Sequence, residues 1–150
     1  MIKLNKIPDK SAISNGFETV DYCDSYRIIY PADKSIEQIT NELFKLPDWV
    51  TLLLKTRDSI VGIFGLKTGK DREDGQRLFP IIEQNKNELV MGENDSHLNF
   101  RVSVLIDREN AFVYVTTLVH YNNIWGKLYF MPVKPFHKII MKSLIKSNLK

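Results

Sequence analysis

A chain of 150 residues, 43% hydrophobic and 26% charged, fits one globular domain able to bury about two thirds of its unfolded surface. Its formal charge of +3 is too small to argue for nucleic acid as a partner, and its one cysteine, Cys23, excludes an internal disulfide framework and fits a reducing compartment. No apolar run reaches the ~18 to 20 residues that span a bilayer, and MIKLNKIPDK lacks the apolar core of a signal peptide, so a cytoplasmic protein is expected.

Residues 1–16 are polar, with Pro8 and Gly16, and read as an N-terminal arm. Tyr22, Tyr26, Ile28 and Tyr30 then alternate with Cys23, Ser25 and Arg27, which predicts a strand ending at Pro31. Ser35 and Gln38 have the spacing of a capping box, so a helix should open at Ile36, with Ile36, Ile39, Leu43 and Leu46 on its buried side and Pro47 interrupting it. A second helix is expected from Asp48 to Phe64, stopped by Gly65. Lys67 to Arg77 reads as a charged loop. Leu78 to Glu83 reads as an edge strand because of Pro80, and Glu88 to Met91 as another strand.

The clearest signal follows. Leu98, Phe100, Val102, Val104 and Ile106 fall on alternate positions, which gives a strand with one buried face. The run from Ala111 to Tyr121 is β-branched and aromatic, as strands prefer, but apolar on both faces. A two- or four-residue turn within Asp107 to Asn110 pairs Ile106 with Ala111 and Val104 with Val113, and puts Val113, Val115, Thr117, Val119 and Tyr121 inside. A three-residue turn would bring Tyr114, Thr116 and His120 inside instead. Pro135 suits the first turn of a final helix, in which Phe136, Ile139, Ile140 and Leu144 share one face and Lys134, Lys138, Lys142, Lys146 and Lys150 step along another. From Lys127 onward there are six lysines and no acidic residue.

The order strand, two helices, several antiparallel strands and a final helix predicts an α+β fold. A curved antiparallel sheet wraps around the long C-terminal helix, the helix-grip arrangement, as a single domain. Leu66–Gly69, Glu88–Gly92, Asp95, His97-Leu98, Phe100–Ser103, Thr116-Thr117, His120, Asn122, Gly126, Tyr129 and Pro135–His137 resemble a bacterial family, domain of unknown function 2867, over about Tyr22 to Ile145. The resemblance implies kinship with START-like and birch-pollen-allergen-like helix-grip domains. Related domains follow nicotinamide-binding, short-chain-dehydrogenase-like domains in longer proteins, but no Gly-x-Gly-x-x-Gly follows a strand in this sequence. The family supplies no catalytic residues to carry over.

The architecture points to a cavity between sheet and helix, lined by Tyr26, Tyr30, Val102, Val115, Thr117, Phe136, Ile140 and Leu144, that takes a small hydrophobic or amphipathic molecule. Plain core filling is the competing reading. Glu88, Asp95, His97 and Arg101 lie close in sequence, and a carboxylate, an imidazole and a guanidinium are the parts of an acid–base site. The preferred reading is structural, with Asp95 capping a turn and Arg101 on the outer sheet face. His120 and His137 lack a second ligand at metal-binding spacing, so no metal and no cofactor is expected, and His137 is read as bonding to the Trp125–Tyr129 loop. The Gly65–Lys70 loop fails the phosphate-loop pattern, with Asp71 where Ser or Thr is required. The lysine ladder is read as a solvated face in preference to a membrane contact. Small-molecule binding is the expected function. A cyclase- or dehydratase-like enzyme and an interaction or oligomerisation module are the alternatives.

Overall fold

A computed structural model describes residues 1–30, 33–61 and 79–149, with the backbone alone at 57–61. In chain order its elements are β1 (Ile2–Leu4), β2 (Tyr22–Ile29), α1 (Ile36–Leu43), α2 (Asp48–Val61), β3 (Ile81–Gln84), β4 (Glu88–Asn94), β5 (Leu98–Asp107), β6 (Phe112–Tyr121) and α3 (Ile124–Asn148). The strands form one antiparallel sheet in the order β1-β2-β6-β5-β4-β3. Among the described residues the fold is α+β, with a six-stranded sheet and three helices, the last of them long and C-terminal. The expected loop at 67–77 and the phosphate-loop lookalike lie outside the described residues.

The expected capping box opens α1. Ser35 Oγ accepts from the Gln38 amide at 3.2 Å, and Gln38 Oε1 accepts from the Ser35 amide at 2.9 Å. This satisfies two of the donors that a helix start leaves over. Ile36, Ile39 and Leu43 are then buried against Leu89, Met91, Val104 and Ile106 of the sheet.

The β5–β6 hairpin has the expected inner face but a different register. Ile106 pairs with Val113, Val104 with Val115 and Val102 with Thr117. Asp107 stays in the ladder because its carboxylate accepts from the Asn110 side chain at 2.8 Å, which moves the four-residue loop to Arg108–Ala111. Ala111 takes up the left-handed backbone that this turn requires, at φ 53°. The pairing therefore slips by two residues, and a slip of two leaves every side chain on its expected face.

The start and phase of α3 differ from expectation. The helix begins at Ile124, capped by Asn123, whose side chain accepts from the Gly126 amide at 3.1 Å. Pro132 and Pro135 therefore lie inside it. Each removes a donor, and the Leu128 and Met131 carbonyls left without one belong to exposed residues. Gly126 fixes the rotation of the helix. A Cβ there would stand 2.0 Å from the His97 carbonyl oxygen, so the first turn presses directly on the β4–β5 turn. From that anchor Phe130, Met141, Leu144 and Ile145 are buried, with Val133 packed beside Phe130. Phe136, expected to face the sheet, is 53% exposed, and Ile139 is 58% exposed.

The N-terminal arm covers the other face of the sheet. Ile13 is completely buried with Val90 and Leu118, flanked by Ile7, Phe17 and Cys23. α1 and α3 thus cover the inner face, and the arm covers the part of the outer face around Val90 and Leu118, while Ile29 at the margin stays 79% exposed.

Candidate functional site

The alternation of β2 places Tyr22, Asp24, Tyr26 and Ile28 on the inner face, where all four are buried. Asp24 pairs with Thr117 across the ladder, and Tyr26 pairs with Val115. His137 comes down from α3, its Nε2 3.5 Å from Asp24 Oδ2. The same Asp24 oxygen accepts the Tyr22 hydroxyl at 2.7 Å, and the Tyr22 and His137 rings meet edge to face at 6.1 Å. Lys134 lies over the outer side of the Tyr22 ring, 5.1 Å from its centroid.

Three polar atoms of this group are buried without a hydrogen-bond partner, Asp24 Oδ1, Tyr26 Oη and Thr117 Oγ1, and His137 Nε2 has only its 3.5 Å contact with Asp24 Oδ2. Leaving one such atom unpaired costs about 1 to 3 kcal/mol, so a cluster of three is a strong departure from ordinary core construction. Burial works against the charge on Asp24 and is the largest influence on it. The bonds and charge of His137, the Tyr22 hydroxyl and the charge of Lys3 together outweigh burial and hold the carboxyl below its ordinary range. Burial is also the main reason the Tyr26 hydroxyl is pushed up to about 12, and the neighbouring Asp24 adds to it through its charge and a hydrogen-bonding contact too poorly formed to count as a full bond. The site therefore presents a carboxylate acceptor at neutral pH, with two hydroxyls and the His137 ring beside it in an apolar frame.

The expected lining residues divide around this cluster. Tyr26 and Thr117 belong to it, and Val102, Val115 and Leu144 are buried in the surrounding core, with Ile140 packed at the margin. Tyr30 is buried, but its hydroxyl leaves the cluster and donates to Glu42 at 3.0 Å while accepting from Lys34 at 2.9 Å. Phe136 lies on the opposite side of α3. A cleft of about 340 Å³ lies elsewhere, lined by Lys10, Asn85, Asn87, Glu88, Leu105 to Glu109 and none of the eight expected lining residues.

Glu88, His97 and Arg101 do not meet. Glu88 is 1% exposed on the outer face and accepts from Ser11 and Ser103 hydroxyls at 2.5 Å each and from the Ala12 amide at 2.8 Å. Arg101 is on the same face, four ladder positions away, or about 13 Å. It bonds to Asn94 at 2.8 Å and lies 5.0 Å over the Phe17 ring. Gly92 lets the two strands approach beside it, since a Cβ there would stand 2.2 Å from the Phe100 carbonyl oxygen and 3.0 Å from the arginine side chain. His97 sits in the β4–β5 turn beside Asn123, at 3.1 Å. Asp95 accepts from the Ser96 amide at 2.5 Å, the expected turn cap. Contrary to expectation, His137 does not bond to the Trp125–Tyr129 segment, because α3 already runs as helix there and His137 lies mid-helix over Asp24.

A family model described as protein of unknown function (DUF2867) matches residues 17–144. The chain belongs to this family. The match spans the whole Asp24–His137 cluster and leaves out the arm that bonds to Glu88. No curated protein and no solved structure matches the chain. Among the described residues no helix of this DUF2867 member is long and apolar enough to cross a membrane. No three His, Cys, Asp or Glu side chains are grouped there to hold a metal.

Asp24 and His137 are the residues that sequence reasoning passed over as site members. A signal for each was present. Asp24 is the single charge in the alternating series Tyr22, Asp24, Tyr26, Ile28, and His137 falls four positions after Val133 and seven before Leu144 on a helical repeat. Only the early start of α3 shows that the second series is the buried one.

Proposed function

We propose that this protein binds a small amphipathic molecule between the inner sheet face and α3, as a helix-grip domain of START-like type. The observation that carries this reading is the cluster of three unpartnered buried atoms on Asp24, Tyr26 and Thr117, beside the His137 imidazole. A ligand bearing a hydroxyl, phenol or amide satisfies these atoms, donating to Asp24 Oδ1 and accepting from Tyr26 or Thr117. Its apolar part lies against Val102, Val115 and Leu144. The site is closed, so entry requires α3 to move, and the helix bonds lost at Pro132 and Pro135 make that stretch the natural hinge. The single free cysteine fits residence in the reducing cytoplasm.

The test is native mass spectrometry of the whole protein, purified gently from its own cells, then repeated after solvent extraction. A stoichiometric extra mass that extraction removes is expected. The extracted molecule, added back at about 100 times its dissociation constant, should stabilise the fold by about 2.7 kcal/mol, a shift of several degrees. The proposal fails if no mass co-purifies and no phenol, hydroxy acid or amide in an amphipathic panel raises the melting temperature.

A catalytic reading rests on the Asp24–His137 pair. A carboxylate 3.5 Å from an imidazole, with a buried tyrosine hydroxyl alongside, can move a proton on a bound carbonyl or phenol, the chemistry of a cyclase or dehydratase. His137→Gln would then abolish turnover of the extracted molecule while leaving its binding within about threefold, less than the loss expected of one hydrogen bond.

A further inference from the structure

The outward face of α3 is apolar. Ile124, Trp125, Leu128, Met131, Phe136 and Ile139 are between 46% and 66% exposed. With 3.6 residues per turn these positions form one stripe, directly opposite the buried line through Phe130, Val133, His137 and Leu144. The stripe is about 22 Å long. Lys127, Lys134 and Lys138 run along one edge of it, and Lys142 and Lys146 continue its line toward the C-terminal end. No carboxylate follows Glu109 in the sequence.

We propose that this face docks on an anionic phospholipid surface, with Trp125 and Phe136 at headgroup depth and the lysines on lipid phosphates. The combination of large apolar side chains, an exposed tryptophan and unopposed lysines is the chemistry of an interfacial helix. Charge argues against a second copy of this chain as the occupant. Two such helices packed stripe to stripe would bring lysine edges together, and α3 has no acidic residue to relieve them. The inference is independent of the ligand site, because the stripe and the Asp24 cluster lie on opposite sides of the helix.

The test uses the full chain carrying Trp49→Phe, so that Trp125 is the only tryptophan, with vesicles of phosphatidylcholine alone or mixed with phosphatidylglycerol. Co-sedimentation with the anionic vesicles, a blue shift of Trp125 emission and loss of both at high salt are expected. Replacing Lys127, Lys142 and Lys146 by Gln should weaken binding on the order of a hundredfold. Met131→Glu should abolish it with an unchanged circular dichroism spectrum, since that side chain is 63% exposed. The proposal is overturned if the protein stays in the supernatant at low salt, or if it sediments with Trp125 emission unshifted. A dimer that Met131→Glu converts to monomer would also overturn it, by assigning the stripe to a second copy.

Discussion

The two faces of the sheet each bury a carboxylate, and they treat it in opposite ways. On the outer face Glu88 accepts from two hydroxyls and a backbone amide, all supplied by the N-terminal arm and β5. On the inner face Asp24 is equally buried, yet one of its oxygens has no partner, and a phenol and a threonine hydroxyl around it are in the same state. Among the described residues the outer face leaves one such atom, Arg101 Nε, on a guanidinium that bonds to Asn94 through another nitrogen. A buried charge is tolerated when its bonds are complete. Glu88 meets that condition and acts as a staple. The inner group does not, and polar atoms held unsatisfied at a cost in stability mark a place reserved for something other than folding.

The largest effect should come from breaking the completed side. Glu88→Ala strands three donors and releases the arm that covers Val90 and Leu118. We expect a loss of about 3 kcal/mol or more, read as a lower urea midpoint. Leu144→Ala, which removes a fully packed side chain from the base of α3, should cost about 2 to 5 kcal/mol. Its cost should fall toward the lower end if α3 can settle onto the sheet.

How much of this the sequence discloses depends on whether a local pattern or a long-range contact sets the outcome. The Ser35–Gln38 cap, the α1 core face and the period-two strands follow from neighbouring residues, and they stand as expected. The hairpin register depends on one side-chain bond, Asp107 to Asn110, and shifts by two without disturbing either face. The phase of α3 is different. Both of its sides are apolar, so hydrophobic spacing cannot say which is buried. Gly126 against the His97 carbonyl decides it, a contact made across the sheet. The arm is illegible for the same reason, since Ile7 and Ile13 stand six residues apart among polar neighbours and give no period, and Ile13 is buried only because Val90 and Leu118 lie beneath it.

Acid should sharpen the contrast between the faces. The native Asp24 carboxyl lies below its ordinary value of 3.8, so as pH falls the unfolded chain takes up that proton before the folded one does. The stability it contributes is complete above 3.8 and is lost as pH falls through the lower native value. Asp24→Asn removes this dependence. The stability difference between the natural protein and the variant should be constant at neutral pH and should narrow below 3.8, as measured by urea unfolding across an acid series.

The smallest effect on stability is the most informative about function. Tyr26→Phe removes a buried hydroxyl that has no partner, and Thr117→Val replaces another with a methyl group of similar size. An ordinary core hydroxyl costs about 1 kcal/mol to delete because its bond goes with it. Here no well-formed bond is lost and a desolvated polar atom disappears. The ligand-free double variant should therefore melt at the same temperature as the natural protein or up to a few degrees higher, a gain of about 1 kcal/mol. The same variant should bind the extracted ligand at least tenfold more weakly, because the groups removed are those that meet the ligand's polar end. Stability gained while affinity is lost is the signature of side chains kept for binding. Stability lost in the ligand-free form would instead show that the two hydroxyls are bonded within the fold, and the inner face would then be built on the same rule as the outer one.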